Sequence, residues 1–254
     1  MTPKVFRAAV SCVRMLSTEV SKPLYGTVAS HSSYVFLHSN EPSSEFPVKI
    51  STVIQRELQL RTMKLGTIVN FTWTGSPPNL PADKAVATVF SRSGGRLELP
   101  EVSLENVNDV EEILKAHIQR EHATPETQEE THLYVCTHGA RDCRCGEHGS
   151  EVARLLREEV ERRRIGHKLK VREVGHVGGH KYAANLLIYP HGEWLGQLRA
   201  IDVPQVIDSI LTRPTRPFRD RDPPILPDHW RGRMGLGKDE QISIFEEFRN
   251  RRNT

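Results

Sequence analysis

The stretch CTHGARDCRCGEHG, residues 136–149, places Cys136, Cys143 and Cys145 close together in a chain that has four cysteines in all. Further on, HVGGH supplies His176 and His180. Thiolates and imidazoles are the donors of zinc and of iron–sulfur centres, whereas oxygen-rich sets suit magnesium and calcium. A single cysteine or histidine is more often structural than ligating. Three cysteines and a spaced histidine pair in a cysteine-poor chain point instead to a metal or redox site. HVGGH is not the helical histidine pair of a zinc protease. Two adjacent glycines disfavour a helix by about 1 kcal/mol each relative to alanine, and the glutamate that would act as general base is missing. The glycines Gly178 and Gly179 suit a backbone that bends close to a bound group and aims its N–H groups at it.

Two other uses of the same residues stand beside a redox centre. One is a structural zinc site in an interaction or scaffold domain. The other is thiol–disulfide exchange at Cys143 and Cys145. Against exchange, the sequence offers Cys-Arg-Cys rather than Cys-x-x-Cys, placed late relative to the start of its helix.

The elements that must position these residues can be read from periodicity. HLYVCTH reads as a short apolar strand that delivers Cys136 at its end. SEVARLLREEVERRRIG is the clearest helix, with Val152, Leu155, Leu156 and Val160 on one face, Ser150 as N-cap and Arg162–Arg164 in the last turn. KLKVREVGHV reads as a strand, NLLIYPHGEWLGQL as a strand or hairpin, and DVPQVIDSILTR as a closing helix. This β-α-β-β-α order puts Cys143 and Cys145 in the loop before the helix and the histidines in a loop between later strands. Both loops can then occupy one end of one sheet. The first half is also α/β: strand SYVFLHS, amphipathic helix VKISTVIQRELQLRTMK with Ile50, Val53, Ile54, Leu58 and Leu60 as its apolar face, strands GTIVNFTW and KAVATVFS, a hairpin into RLELP, and helix SLENVNDVEEILKAHI. Its similar element content hints at duplication. QREHATPETQEET reads as a linker. The Pro/Arg-rich tail reads as an extended, solvated strap before a short helix, KDEQISIFEEF. The expected divisions are 1–20, 21–123, a linker at 124–131, 132–212, and 213–254.

Composition bounds the rest. The chain has 254 residues, 37% hydrophobic and 26% charged, which suits one large or two small globular domains. No run of 18 apolar residues is present, so no membrane span is expected. Four cysteines are too few for a disulfide scaffold. The net charge is +3. Residues 1–18 carry Lys4, Arg7 and Arg14 and no acid, so the remainder is near neutral and little drives it toward nucleic acid. That basic, hydroxyl-bearing start, with Val5, Ala8 or Ala9, Cys12, and Met15 or Leu16 along one helical face, has the character of a mitochondrial presequence.

CTHGARDCRCG, HVGGHKYAANLLIYPHGEWLG, PDHWRGRMGL and, in the first half, EFPVKISTVIQRELQLR together resemble the sucrase/ferredoxin-like family of fungi and plants. The resemblance runs over nearly the whole chain after residue 20. It implies a thioredoxin-like ferredoxin domain, and the element order of the first half reads as a second, degenerate thioredoxin-like unit before it. It also implies a 2Fe-2S cluster held by two cysteines and two histidines. Carried over, those ligands are Cys136, Cys145, His176 and His180. Cys143 fills the variable place of an Arg-Asp-x-Arg-Cys-Gly pattern and is an alternative ligand. Nothing in the chain places a carboxylate pair for glycoside chemistry, so the family's name does not make it a hydrolase.

The expected function is that of a one-electron carrier or redox sensor rather than an enzyme with its own substrate pocket. Two neutral imidazoles in place of thiolates ease reduction, as in Rieske centres. A second ring nitrogen open to solvent would couple reduction to proton uptake. Arg141, Arg144 and Lys181 flank the ligands, placed either to offset cluster charge and dock an acidic redox partner or to form local surface ion pairs. Trp194 and Trp230 shield the cluster or pack the core. The expected partners are a redox protein and the iron–sulfur assembly machinery. The expected compartment is the mitochondrial matrix, where clusters are assembled, with the intermembrane space and the cytoplasm as alternatives.

Overall fold

A computed structural model describes residues 23–81, 83–120 and 128–252. The presequence reading of 1–20 and part of the linker lie outside them. The first half runs β1 (Ser33–His38), α1 (Val53–Thr62), β2 (Thr67–Trp73), β3 (Lys84–Ser91), β4 (Gly95–Ser103) and α2 (Val107–Ile118). The second runs β5 (Thr131–Cys136), α3 (Ser150–Arg162), β6 (Leu169–Val174), β7 (Leu186–Tyr189), β8 (Glu193–Leu195) and α4 (Val203–Leu211). A ninth strand, β9 (Trp230–Arg233), and helix α5 (Lys238–Arg252) close the chain.

The two halves repeat one topology. β1 pairs parallel with β2 and antiparallel with β3, which pairs antiparallel with β4. β5 pairs parallel with β6 and antiparallel with β7, which pairs antiparallel with β8. The fold is therefore α/β, with two thioredoxin-like units, and the NLLIYPHGEWLGQL segment is the hairpin. The units join where β2 meets β6 at Thr72–Val174 and Trp73–Glu173, giving the strand order β4-β3-β1-β2-β6-β5-β7-β8-β9.

Strand alternation divides the core. In β1, Val35 and Leu37 face α1 and α2, while Tyr34 and Phe36 face the other way. In β5, Leu133 and Val135 face α3 and α4, while Tyr134 and Cys136 face away. β1 and β5 are not neighbours in the sheet, yet the rings of Phe36 and Tyr134 stack with centroids 3.7 Å apart. The sheet must fold back along the short β2–β6 junction, so that the helix-free faces of the two units form a buried aromatic seam.

Local details correct several sequence expectations. α1 starts at Val53 because Thr52 caps it, its hydroxyl accepting from Gln55 N at 3.1 Å. Its buried face is Ile54, Leu58 and Thr62, while Val53 and Leu60 are exposed. α3 follows directly on a π-helical turn, Cys145–Gly149, so Ser150 is its first residue and not an N-cap. The tail is extended but not solvated. Phe218, Ile225, Leu226 and Trp230 join the α3–α4 core, and β9 extends the sheet beside β8.

Candidate metal centre

β5 and β6 run parallel in register, with Cys136 opposite Val174, so the loops that follow them leave the sheet at the same end. The first loop returns Cys145 to the seam beside Cys136. The second carries His176. Gly149 makes the first return possible. A Cβ there would lie 2.0 Å from the Cys136 carbonyl oxygen, so α3 can begin this close to the strand end only with glycine. In the second loop Gly178 and Gly179 take left-handed backbone, at φ +82° and +67°.

The sulfurs of Cys136 and Cys145 and a ring nitrogen of His176 lie within 4.8 Å of one another. Cys145 Sγ is 4.0 Å from His176 Nδ1. Both sulfurs are buried and His176 is half-buried. His180 is outside this group of three. Its ring centroid is 5.7 Å from that of His176, and its half-exposed side chain sits with Nδ1 3.7 Å from Asp142 Oδ2. Cys143 is exposed and also lies outside the group. Arg144 clasps Asp142 with two bonds of 2.9 Å and stays within electrostatic reach of Cys145. Arg141 and Lys181 are exposed, the latter with its ammonium 4.8 Å from the Tyr182 ring centroid. Trp194 lies in the seam with Cys136 and Cys145, whereas Trp230 packs with α3 and α4.

The two thiols are electrostatically unequal. Hydrogen bonding to Cys145, then to His176 and the backbone of Val177 and His138, holds the Cys136 thiol well below its ordinary value despite burial. Hydrogen bonding to Cys136, then burial and the charge of that sulfur, push Cys145 up. The metal-free pair thus favours one thiolate and one thiol. Donors to sulfur from backbone and imidazole, with no carboxylate in the group of three, make a set that fits a thiophilic metal or an iron–sulfur cluster.

Some supporting residues were not singled out from sequence. His138 is buried, and burial lowers its basicity. Its Nε2 bonds the Pro47 carbonyl at 2.9 Å, so that nitrogen carries the proton, and Nδ1 accepts from His176 N at 3.3 Å. Asn70 Nδ2 donates to the carbonyls of Gly175 and His176, each at 3.4 Å. Ser43 and Thr137 share a 2.5 Å hydroxyl bond. The first unit thus walls the two loops that carry the second unit's candidate donors. A histidine two places after Cys136 was the one visible signal. At the corresponding end of β1 stands His38, beside a cavity of about 300 Å³ lined by Phe46, Ile54, Phe71 and Lys84 among others. Among the described residues no thiol occurs there, so the first unit lacks the cysteines of the second.

The model of the family described as Sucrase/ferredoxin-like matches residues 24–232. Altered inheritance of mitochondria protein 32 of Meyerozyma guilliermondii is 29% identical over 177 residues, 65% of this chain and 60% of that protein. Actin patches distal protein 1 of Saccharomyces cerevisiae is 32% identical over 115 residues, 37% of this chain and 34% of that protein. The chain therefore spans less than two thirds of either relative. Among solved structures, a thioredoxin-like 2Fe-2S ferredoxin from Aquifex aeolicus is 19% identical, with a TM-score of 0.30, over 34% of this chain and 88% of that one.

Proposed function

The chain belongs to the sucrase/ferredoxin-like family, and from that premise we propose that Cys136, Cys145, His176 and His180 hold a 2Fe-2S cluster in a one-electron carrier or redox sensor. The observation that carries this reading is the group of two buried cysteines, Cys136 and Cys145, and the half-buried His176, its donor atoms within 4.8 Å of one another. When bound, such a cluster accepts and returns single electrons. Cys136 is poised as a thiolate by the donors around it. His176 is positioned by His138 through its backbone N–H and by Asn70 through its carbonyl. His180, on the same glycine-hinged loop, completes the set. The exposed bases Arg141 and Lys181 sit beside that loop and suit an acidic redox protein. Loading falls to the iron–sulfur assembly machinery. The name of the Meyerozyma relative supports a mitochondrial role, and the basic first 18 residues fit import into the matrix.

One observation also favours a second reading, a structural zinc site. Zinc bonds of about 2.3 Å to sulfur and about 2.0–2.1 Å to nitrogen would suit so compact a group of three with little movement.

Visible absorption of protein purified without oxygen, with iron, sulfide and zinc analysis, separates the two. The expected result is a red-brown protein with about two irons and two sulfides per chain. Color should be lost on substituting Cys136 or Cys145 and altered on substituting His176 or His180. A colourless protein with one zinc per chain would overturn the cluster reading.

A further inference from the structure

Arg231 lies on β9, remote in sequence from every proposed ligand, and is 2% exposed. Its three nitrogens are all taken by neutral acceptors. Nε donates to Thr27 Oγ1 at 3.1 Å, Nη2 to the Thr27 carbonyl at 3.1 Å, and Nη1 to Asn185 Oδ1 at 2.8 Å. Its guanidinium carbon lies 4.7 Å from the ring centroid of Tyr182 and 5.8 Å from that of Trp194. Among the described residues no carboxylate pairs with it. Burial lowers its basicity to about 10, so it stays charged at neutral pH. The other buried arginine of β9, Arg233, has a carboxylate, Glu193, at 2.5 Å.

A buried charge without a counter-charge is costly, and this one sits against the ligand loop. A Cβ on Gly179 would lie 2.5 Å from Arg231 Nη2. Asn185 ties the pieces together: its side-chain oxygen accepts from Arg231, its amide donates to the Gly179 carbonyl at 3.2 Å, and its own carbonyl accepts from Cys136 N at 3.1 Å. The Cys136 sulfur is within electrostatic reach of the guanidinium.

We propose that Arg231 is the fixed counter-charge of the metal centre, a positioning residue whose positive charge favours the reduced state and raises the reduction potential. The inference rests on the cluster reading above. Two thiolates cancel the two positive charges of an oxidised 2Fe-2S core, so the site is then close to neutral. Taking one electron from an external one-electron donor leaves it one unit more negative, with no bond made or broken and no proton required. A cation already buried against the loop that carries His176 and His180 stabilises that added charge without reorganisation. Arg141 and Lys181 are exposed and screened by water, and Arg144, its side chain 41% exposed, has its charge offset by Asp142, so of these cations Arg231 alone is buried and without a counter-charge.

The test is an anaerobic redox titration of the intact chain as wild type, Arg231→Lys, Arg231→Met and Arg231→Gln, with dithionite as donor, alongside iron and sulfide content. The neutral variants should load and shift their oxidised-to-reduced ratio at least tenfold at a fixed ambient potential, about 59 mV for one electron. Arg231→Lys should shift less than half as far. Neutral variants that load normally with an unmoved potential overturn the proposal. So does a loss of loading in both neutral variants, which would make the guanidinium a scaffold for the loop. A wild-type protein that takes up no iron overturns the cluster reading itself and this inference with it, whereas an unmoved potential in loaded protein overturns this inference alone.

Discussion

Burial by itself would raise both thiols of the candidate centre, because it penalises the thiolate. At Cys136 the surrounding donors outweigh it, and at Cys145 the bond to Cys136 adds to it. Reactivity also needs access, and here access opposes electronic activation: both sulfurs are buried while Cys143 is exposed. Alkylation of the native, metal-free protein should therefore mark Cys143 first and reach Cys136 and Cys145 only on unfolding, as read by peptide mass mapping. Equal native labelling of Cys136 would show that the strand end opens. Cys143→Ser should keep full metal content. His138→Ala removes the acceptor of the His176 N–H and the donor to Pro47. It should cost roughly 1–3 kcal/mol of stability and about 10- to 100-fold in metal retention under chelator competition. The candidate donors could be picked out in the sequence because thiols are rare in this chain and two loops carry them. His138, Asn70 and Arg231 could not, since each acts through a contact distant in sequence, such as His138 with Pro47 and Arg231 with Thr27.

At the scale of elements, periodicity revealed the strands and helices whose faces are apolar, and it missed β9. The sequence Trp-Arg-Gly-Arg reads as a charged surface segment. It is buried because each arginine finds partners inside. Arg233 donates to Glu193 and to the carbonyls of Arg219 and Asp222, at 2.6 and 2.9 Å for the latter two, while Glu193 also accepts from Ile225 N at 3.0 Å. One ion pair thus fastens β8, β9 and the tail around residues 219–225 together. Removing one member leaves the other charge buried and uncompensated, a loss of about 3–5 kcal/mol. Arg233→Met should lower the melting temperature by roughly ten degrees, at about 2–4 °C per kcal/mol for a chain of this size. Adding Glu193→Gln to it should recover part of the loss. Equal melting of Arg233→Met and wild type would mean that the tail docks through its apolar residues alone.

For the whole molecule, the seam between the two units decides how the centre is held, since Cys136 and Cys145 share one core with Tyr34, Phe36, Phe90, Tyr189 and Trp194. Duplication is visible in the sequence only as a repeated element order. The fold-back that presses the units together depends on which face of β1 and β5 meets the other, and no local pattern encodes that. Two histidines line the seam. His31 stands edge-on to Trp194 at 5.5 Å, and His132 edge-on to Phe90 at 5.4 Å. Burial lowers His31 to about 4. Burial, reinforced by Arg96 and Arg172, lowers His132 to about 3. An unfolded histidine titrates near 6.5, so below that pH the unfolded chain binds protons that the folded chain refuses. Stability therefore falls as pH drops from about 6.5 toward 4, by at most roughly 1.4 kcal/mol per pH unit for each histidine. Carboxylate losses belong lower, near and below the ordinary carboxylate range. Melting of the metal-free protein between pH 7 and 4.5 should show this early decline, and His31→Phe, which keeps a ring in the seam without the titrating nitrogens, should make it shallower by that one histidine's share, leaving the part due to His132 and the other histidines lowered by burial. A melting temperature constant from pH 7 to 5 would mean that both imidazoles take up protons in the folded state and that the seam admits water.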